Sequence, residues 1–393
     1  MPEQTSDQRL PFDATDPRLA AAAWSRLAEP GDGAAGTLLA HLGPVAALDW
    51  VLHAARRRGT GAGGRGTTTP SDEAVARWAP RLAGLDIRRE LDVLAALGGH
   101  LVVDGDEQWP AGLADLGAAA PVALWVRGQG LRAVRRSVAV VGARASTSYG
   151  EHVAAQIALG LSERGVGVVS GGAYGIDAAA HRGALSVGGV TVAVLAGGVD
   201  RLYPAGNTRL LEEVLATGAV VAEAPPGSAP SRHRFLQRNR LIAAMSQGCV
   251  VVEAAWRSGA LSTAGHAAVL LRPVGAVPGP VTSMASAGCH RLLRETDAVC
   301  VTDAAEVLEL VAPAGEDLAP ERAVQAGLLD ELDPVSSRLL DALPVRATAA
   351  TENLVRASGL SPGEVRSALG TLELAGRIER DGAGWRRART SGR

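Results

Sequence analysis

The 393-residue chain contains no lysine, since all 39 of its basic side chains are arginine. That absence excludes a lysine-dependent phosphate loop and any Schiff-base chemistry. Cysteine is scarce: Cys249, Cys289 and Cys300 form neither an even set nor a metal-ligand spacing. Disulfide and zinc frameworks therefore find no support, and a reduced compartment, the cytoplasm, is expected. No apolar run approaches the roughly 20 residues of a membrane span, and the polar residues 1–15 do not read as a signal sequence, so no membrane role is expected. Net charge is only −2, and arginine is abundant throughout, so any polyanion site has to rest on local clustering. With no nucleophile elbow and no His/Cys/acid cluster in view, no metal, cofactor or catalytic residue is assigned.

What is present is enough apolar sequence, 47%, to bury cores in two or three domains. Residues 1–15 read as a disordered tail. Residues 16–98 read as a helical N-terminal domain, with Leu38, Leu39, Leu42, Val45 and Leu48 at helical spacing, a Gly-rich loop at 59–69 and a further helix over 72–97. From residue 99 to 312 the pattern turns to Val-rich runs at 138–141, 166–169, 190–195, 219–222 and 249–252, separated by Gly turns and helix-length segments. Such runs mark strands buried on both faces, hence an α/β fold with an extended Rossmann-like parallel sheet. Residues 313–334 are acidic and proline-bearing and read as a linker. Residues 335–393 give three short helices and a hairpin, the order of a winged helix-turn-helix domain, with Ser361-Pro362-Gly363-Glu364 as a capping box.

Four strand-end segments are candidates for function, because open parallel sheets bind ligands where strands end. In VVSGGAYGID (168–177), Gly171, Gly172 and Gly175 either free backbone N–H groups for a phosphate or make a tight turn needed for packing. In VVGARAS (140–146), Arg144 and Ser146 emerge directly after a buried run, an arrangement suited to phosphate. The segment 231–242 carries Arg232, Arg234, Arg238 and Arg240 and no acid, with a helix expected to begin near 236–238. Arginines at a helix N-terminus oppose its dipole, and such violations of local preference tend to mark functional sites. Phe235 within this run is either a base-stacking platform or an anchor to the core. In the last segment, Glu253 is followed by Ser258 and Gly259 at a helix start. Ser258 could be an N-cap alone, and Glu253 could brace neighbouring backbone. Ser170, Asp177 and His181 could suggest acid/base chemistry, but Asp177 also sits where an acid stabilises a helix N-terminus.

Taken in order, GARASTSYG, VVSGGAYGIDAAAHRGAL, TVAVLAGGVDRLYPAGNTRLL, VVAEAPPG, RFLQRNRLIAAMS, VVVEAAWRSGALSTAGHA and AVPGPVTSMASAGCHRLL resemble the DNA-processing protein A (DprA/Smf) family. GDEQWP (105–110) and LWVRG (124–128) resemble its lead-in. The resemblance implies single-stranded DNA binding without strong sequence preference, loading of the RecA recombinase in transformation and recombination, a homodimer, and no catalysis. By position it also implies DNA-binding roles for Arg144, Gly171, Gly172, Gly175, Phe235, Arg238, Asn239 and Arg240, and the candidate segments add Ser146, Arg234, Ser258 and Gly259 to the expected single-stranded DNA-binding set. The sequence departs from the family pattern at Ala143, Leu236, His266 and His290. Two rivals are a phosphoribohydrolase-like nucleotide-processing enzyme, whose Pro-Gly-Gly-x-Gly-Thr segment is missing here, and a winged-helix transcription regulator.

Overall fold

A computed structural model describes residues 10–59, 70–313, 315–320, 332–344 and 347–388. The chain opens on helices α1 (Pro17–Leu27), α2 (Gly33–Gly59), α3 (Pro70–Leu82) and α4 (Ile87–Ala96). Asp16 caps α1 by accepting from the Arg18 and Leu19 N–H groups, with Pro17 at the first helical position. The single helix expected over 72–97 is two. Gly84 at φ 77° breaks it, and Asp86 caps α4 by accepting from the Arg89 N–H at 3.4 Å. Within the expected tail at 1–15, Phe12 is buried in the core. Residues 1–9, and residues 60–69 of the expected Gly-rich loop, lie outside the described residues.

By length and composition α2 could cross a membrane, which the broken apolar runs of the sequence concealed. In the fold it is kinked at Gly43–Pro44 and contributes Ala47, Leu48 and Val51 to a core that holds Trp24 and Trp78. That core continues into the sheet through Trp125, Leu195, Val220 and Ala222. The Trp125 indole N–H donates to Ser25 Oγ at 3.1 Å, so the N-terminal helices are packed onto the sheet.

The sheet comprises β1 (His100–Val103), β2 (Ala123–Gly128), β3 (Ser137–Val141), β4 (Gly167–Ser170), β5 (Thr191–Leu195), β6 (Ala219–Ala222), β7 (Gly248–Val251), β8 (Val274–Ala276) and β9 (Val299–Cys300). Their order is β1-β2-β6-β5-β4-β3-β7-β8-β9. From β6 to β9 all neighbours pair parallel, while β1 and β2 add antiparallel at one edge. Helices α5 (Ser148–Glu163), α6 (Ile176–Ser186), α7 (Thr208–Thr217), α8 (Arg232–Ala244), α9 (Ala260–Val269), α10 (Ala287–Glu295) and α11 (Ala304–Val311) follow the strands from β3 onward. Strand residues alternate between faces. Val138, Val140 and Val168 pack with Ile157 and Leu161 of α5, and Ala139, Val141 and Val169 pack with Leu241 and Ile242 of α8. Chain order runs β3 to β6 toward one edge and β7 to β9 toward the other, so the sheet's switch point lies between β3 and β7. There the loops diverge and leave a crevice.

A second compact unit begins at residue 321. Its described part holds α12 (Pro334–Ala342), α13 (Thr351–Ser358), α14 (Pro362–Leu374) and the hairpin β10 (Ile378–Asp381) and β11 (Gly384–Arg387), a winged helix with its own core of Leu339, Leu354, Val365, Leu369, Leu372 and Trp385. The capping box forms as read. The Ser361 N–H donates to Glu364 at 2.8 Å, and the Glu364 N–H donates to Ser361 Oγ at 3.3 Å. Of the expected linker 313–334, residues 314 and 321–331 lie outside the described residues.

Candidate nucleic-acid interface

The loop after β3 is held from below by Glu253, 2% exposed, at the end of β7. Its carboxylate accepts from the Thr147 N–H at 2.9 Å and hydroxyl at 2.5 Å, and its carbonyl accepts from the Ala143 N–H at 2.7 Å. With both ends of the loop tied down, Arg144 projects into solvent. Ser146 turns away to donate to Glu151 at 2.8 Å.

The glycine loop after β4 is organised by buried charge. The Asp177 carboxylate accepts from the Gly171 N–H at 3.1 Å and the Ala173 N–H at 3.4 Å. Burial pushes its pKa up, against the pull of Arg238 and the loop N–H groups. Arg238 lies beneath the same loop and donates to the carbonyls of Gly171, at 2.7 Å, and Val194. Burial draws its pKa down to about 10. A Cβ at residue 171 would lie 2.2 Å from the Arg238 guanidinium, and one at residue 175, where φ is 73°, would lie 2.3 Å from the Ala143 carbonyl oxygen. Packing thus accounts for Gly171 and Gly175, while Gly172 adopts φ 66°. The expectation that this loop offers its N–H groups to phosphate is corrected for Gly171 and Ala173, whose N–H groups are committed to Asp177.

Ser170 and His181 are fully buried. The Ser170 hydroxyl donates to the Val140 carbonyl at 2.7 Å, and His181 Nδ1 meets the Thr191 hydroxyl at 2.7 Å. Burial, with Arg238 and Arg182 nearby, holds the His181 pKa at about 3, so the ring is neutral at physiological pH.

Helix α8 begins at Arg232, with Ser231 as its cap accepting from the Arg234 N–H, earlier than the expected 236–238. Its arginines therefore occupy helix turns and point different ways. Arg232, Phe235, Asn239 and Ile242, at i, i+3, i+7 and i+10, share one face and line a cleft of about 670 Å³ at the switch point. Across it stand Arg144, Arg257, Ser258 and Gly259. The Arg144 guanidinium sits 4.6 Å from the centroid of the Phe235 ring, and the Tyr203 ring lies 5.9 Å away at 53°. Asn239 ties α8 to the next loop by donating to the Gly259 carbonyl at 3.3 Å, and the Ser258 hydroxyl accepts from the Ala260 N–H. No atom lies within 4 Å of a Cβ placed at Gly259, which leaves that wall open.

Two residues of the sequence-derived set point elsewhere. Arg234 pairs with Glu29 at 2.9 Å, and Arg240, 2% exposed, donates to both oxygens of Glu223 at 2.7 Å. Neither lines the cleft. The DNA-binding set read from the sequence left out Arg232, although its segment was a candidate, and sequence reasoning missed Arg257 and Tyr203. Arg257 leaves β7 much as Arg144 leaves β3, and that parallel was the available signal. Among the described residues, no carboxylate pairs with Arg144, Arg232 or Arg257. The loops after β4, β5 and β7 also carry the half-exposed Tyr174, Tyr203 and Trp256, and Tyr149 stands half-exposed in the first turn of α5. Of the departures from the family pattern, His290 contacts the Gly279 carbonyl at 3.0 Å, and Leu236 is exposed at the cleft. Among the described residues no cluster of His, Cys, Asp or Glu could hold a metal ion.

A family model described as DNA recombination-mediator protein A matches residues 100–312, and one described as the DprA winged helix domain matches residues 323–384. The Putative DNA processing protein DprA of Mycobacterium tuberculosis is 46% identical over 382 residues, covering 93% of this chain and 94% of its own length. Protein Smf of Escherichia coli is 43% identical over 191 residues, 48% of this chain and 50% of that protein. The X-ray structure of DNA processing protein A from Streptococcus pneumoniae superposes with a TM-score of 0.62 at 30% identity, covering 77% of this chain and all of that one.

Proposed function

Because the chain belongs to the DNA recombination-mediator protein A family, we propose that its switch-point cleft binds single-stranded DNA with little sequence preference. The observation that carries this reading is an exposed guanidinium, Arg144, set over the Phe235 ring with no acidic partner among the described residues. Arg144, Arg232 and Arg257 take phosphates, and Phe235, backed by Tyr203, takes the face of an unpaired base. Every base has a π-face, so such contacts are sequence-tolerant, and a base paired within a duplex presents none. The role is that of a binding protein: Ser170 and His181 are fully buried, and Asp177 is committed to the glycine loop.

On the same footing, the chain works in the cytoplasm as a homodimer, protects the strand and passes it to the RecA recombinase. The winged helix is assigned a protein-contact role. Its third helix carries one arginine, Arg366, which donates to the Pro362 carbonyl at 3.1 Å, and two acids, Glu364 and Glu373, while in the hairpin Arg386 is paired with Glu379 at 2.8 Å. Three phosphate contacts imply a slope of log K against log salt near −2, at about −0.7 per contact. Arg257→Ala and Arg232→Ala should each flatten it by about 0.7. Unchanged slopes in both would remove the phosphate track.

A further inference from the structure

The first turns of α8 carry Arg232, Arg234 and Arg238 where a helix dipole favours acids, and the helix contains no acidic residue. The compensation comes from about 200 residues away in sequence. Glu29, in the turn between α1 and α2, accepts from Arg234 Nε at 2.9 Å and Nη2 at 3.1 Å, a two-point contact. The same carboxylate accepts from Arg81 of α3 at 2.7 Å, and Arg81 in turn donates to the Leu27 carbonyl at 3.0 Å. Arg26 of α1 holds the segment leading into α8, donating to the Pro226 carbonyl at 2.7 Å and Ser228 Oγ at 3.4 Å. Gln237 and Arg240 press against Gly31, where a Cβ would meet Gln237 at 2.1 Å and Arg240 at 3.3 Å.

Helix α8 therefore has two working faces. Arg232, Phe235 and Asn239 look into the cleft, while Arg234 and Gln237 are gripped by the α1–α2 turn. Arg234 and Phe235 are consecutive, so fixing one head group fixes the azimuth of the other ring.

We infer that Glu29 is a positioning residue for the nucleic-acid cleft: the N-terminal helices hold Arg234, and through it the Phe235 ring, in the orientation that receives a base. This rests on the single-strand reading above and assigns the N-terminal helices a part in it without any contact to DNA. Burial draws the Glu29 carboxyl upward, but Arg234 and Arg81 together hold it below the ordinary range, so the strap is charged at neutral pH.

The test compares wild type, Glu29→Gln, Arg234→Gln and the double variant Glu29→Gln/Arg234→Gln in the full chain. Readouts are anisotropy titration of a dT oligonucleotide across a salt series and quenching of a 2-aminopurine placed in the strand. Circular dichroism confirms that each variant is folded. Glu29→Gln should weaken binding about tenfold, within what one base stack carries, with reduced quenching but a wild-type salt slope, because no phosphate contact is lost. Arg234→Gln should bind as Glu29→Gln does, and the double variant, with the pair already lost, should be no weaker than either. Wild-type affinity in Glu29→Gln would overturn the inference. Tighter binding with a steeper slope would overturn it too, since Glu29 would then be masking Arg234, and so would losses in the two single variants that add in the double. A wild type that fails to bind dT would overturn the single-strand reading itself, and this inference with it.

Discussion

Arg238 is part of the cleft wall, its guanidinium 5.8 Å from the centroid of the Phe235 ring, yet it is only 6% exposed, so its substitution separates two roles cleanly. It is buried, satisfies the carbonyls of Gly171 and Val194, and is the charge set against buried Asp177. Arg238→Met keeps the aliphatic volume and removes the guanidinium. Two carbonyls lose donors, at roughly 1–3 kcal/mol for a buried group left unpaired. Asp177 keeps the Gly171 and Ala173 N–H groups but loses the Arg238 charge that opposes its burial, and removing the compensation of a buried charge costs up to about 3–5 kcal/mol. Because the losses share one network they do not add, and about 3–5 kcal/mol is expected in all. Urea denaturation reads it as a fall in midpoint at an unchanged m-value. Asp177→Asn in the Arg238→Met background should recover at least about 1 kcal/mol, as coupled neighbours do. An Arg238→Met variant as stable as wild type, with a salt slope about 0.7 flatter, would refute the burial argument and make Arg238 a phosphate ligand.

Phe235→Ala should weaken dT binding by about 1–3 kcal/mol if the ring stacks on a base, and unchanged affinity would make it an anchor only. Gly175→Ala places a Cβ 2.3 Å from the Ala143 carbonyl oxygen at φ 73°, and should cost at least about 1–3 kcal/mol in thermal or urea unfolding. Full stability there would mean the two loops are not in contact. His181 gives a pH signature. Its folded pKa of about 3 lies below the unfolded value of 6.5, so its contribution is complete above pH 6.5 and declines as pH falls from there toward 3. The slope is at most about 1.4 kcal/mol per pH unit. In His181→Gln this part of the pH dependence of the urea midpoint should vanish, and its persistence would assign it to another group.

The sheet was legible because Val-rich runs such as 138–141 and 219–222 have few other uses, and the switch point follows once their order is known. The short strands β8 and β9 gave no comparable signal. Helix α8 shows where local reading stops. Its arginines argued against a helix start at residue 232, and the residue that offsets them, Glu29, is far away in sequence. With the start misplaced, the periodicity that puts Phe235 and Asn239 on one face and Arg234 on another could not be used. Burial decided the remainder: Arg238 and Arg240 look like free cations in the sequence and are enclosed in the fold.

The most direct test is anisotropy titration of a dT oligonucleotide and a duplex of equal length at several salt concentrations, with wild type and Arg144→Ala. Preference for the single strand is expected, with a salt slope near −2 that Arg144→Ala flattens by about 0.7. Equal or stronger duplex binding, or an Arg144→Ala variant indistinguishable from wild type, would contradict the assignment of the cleft.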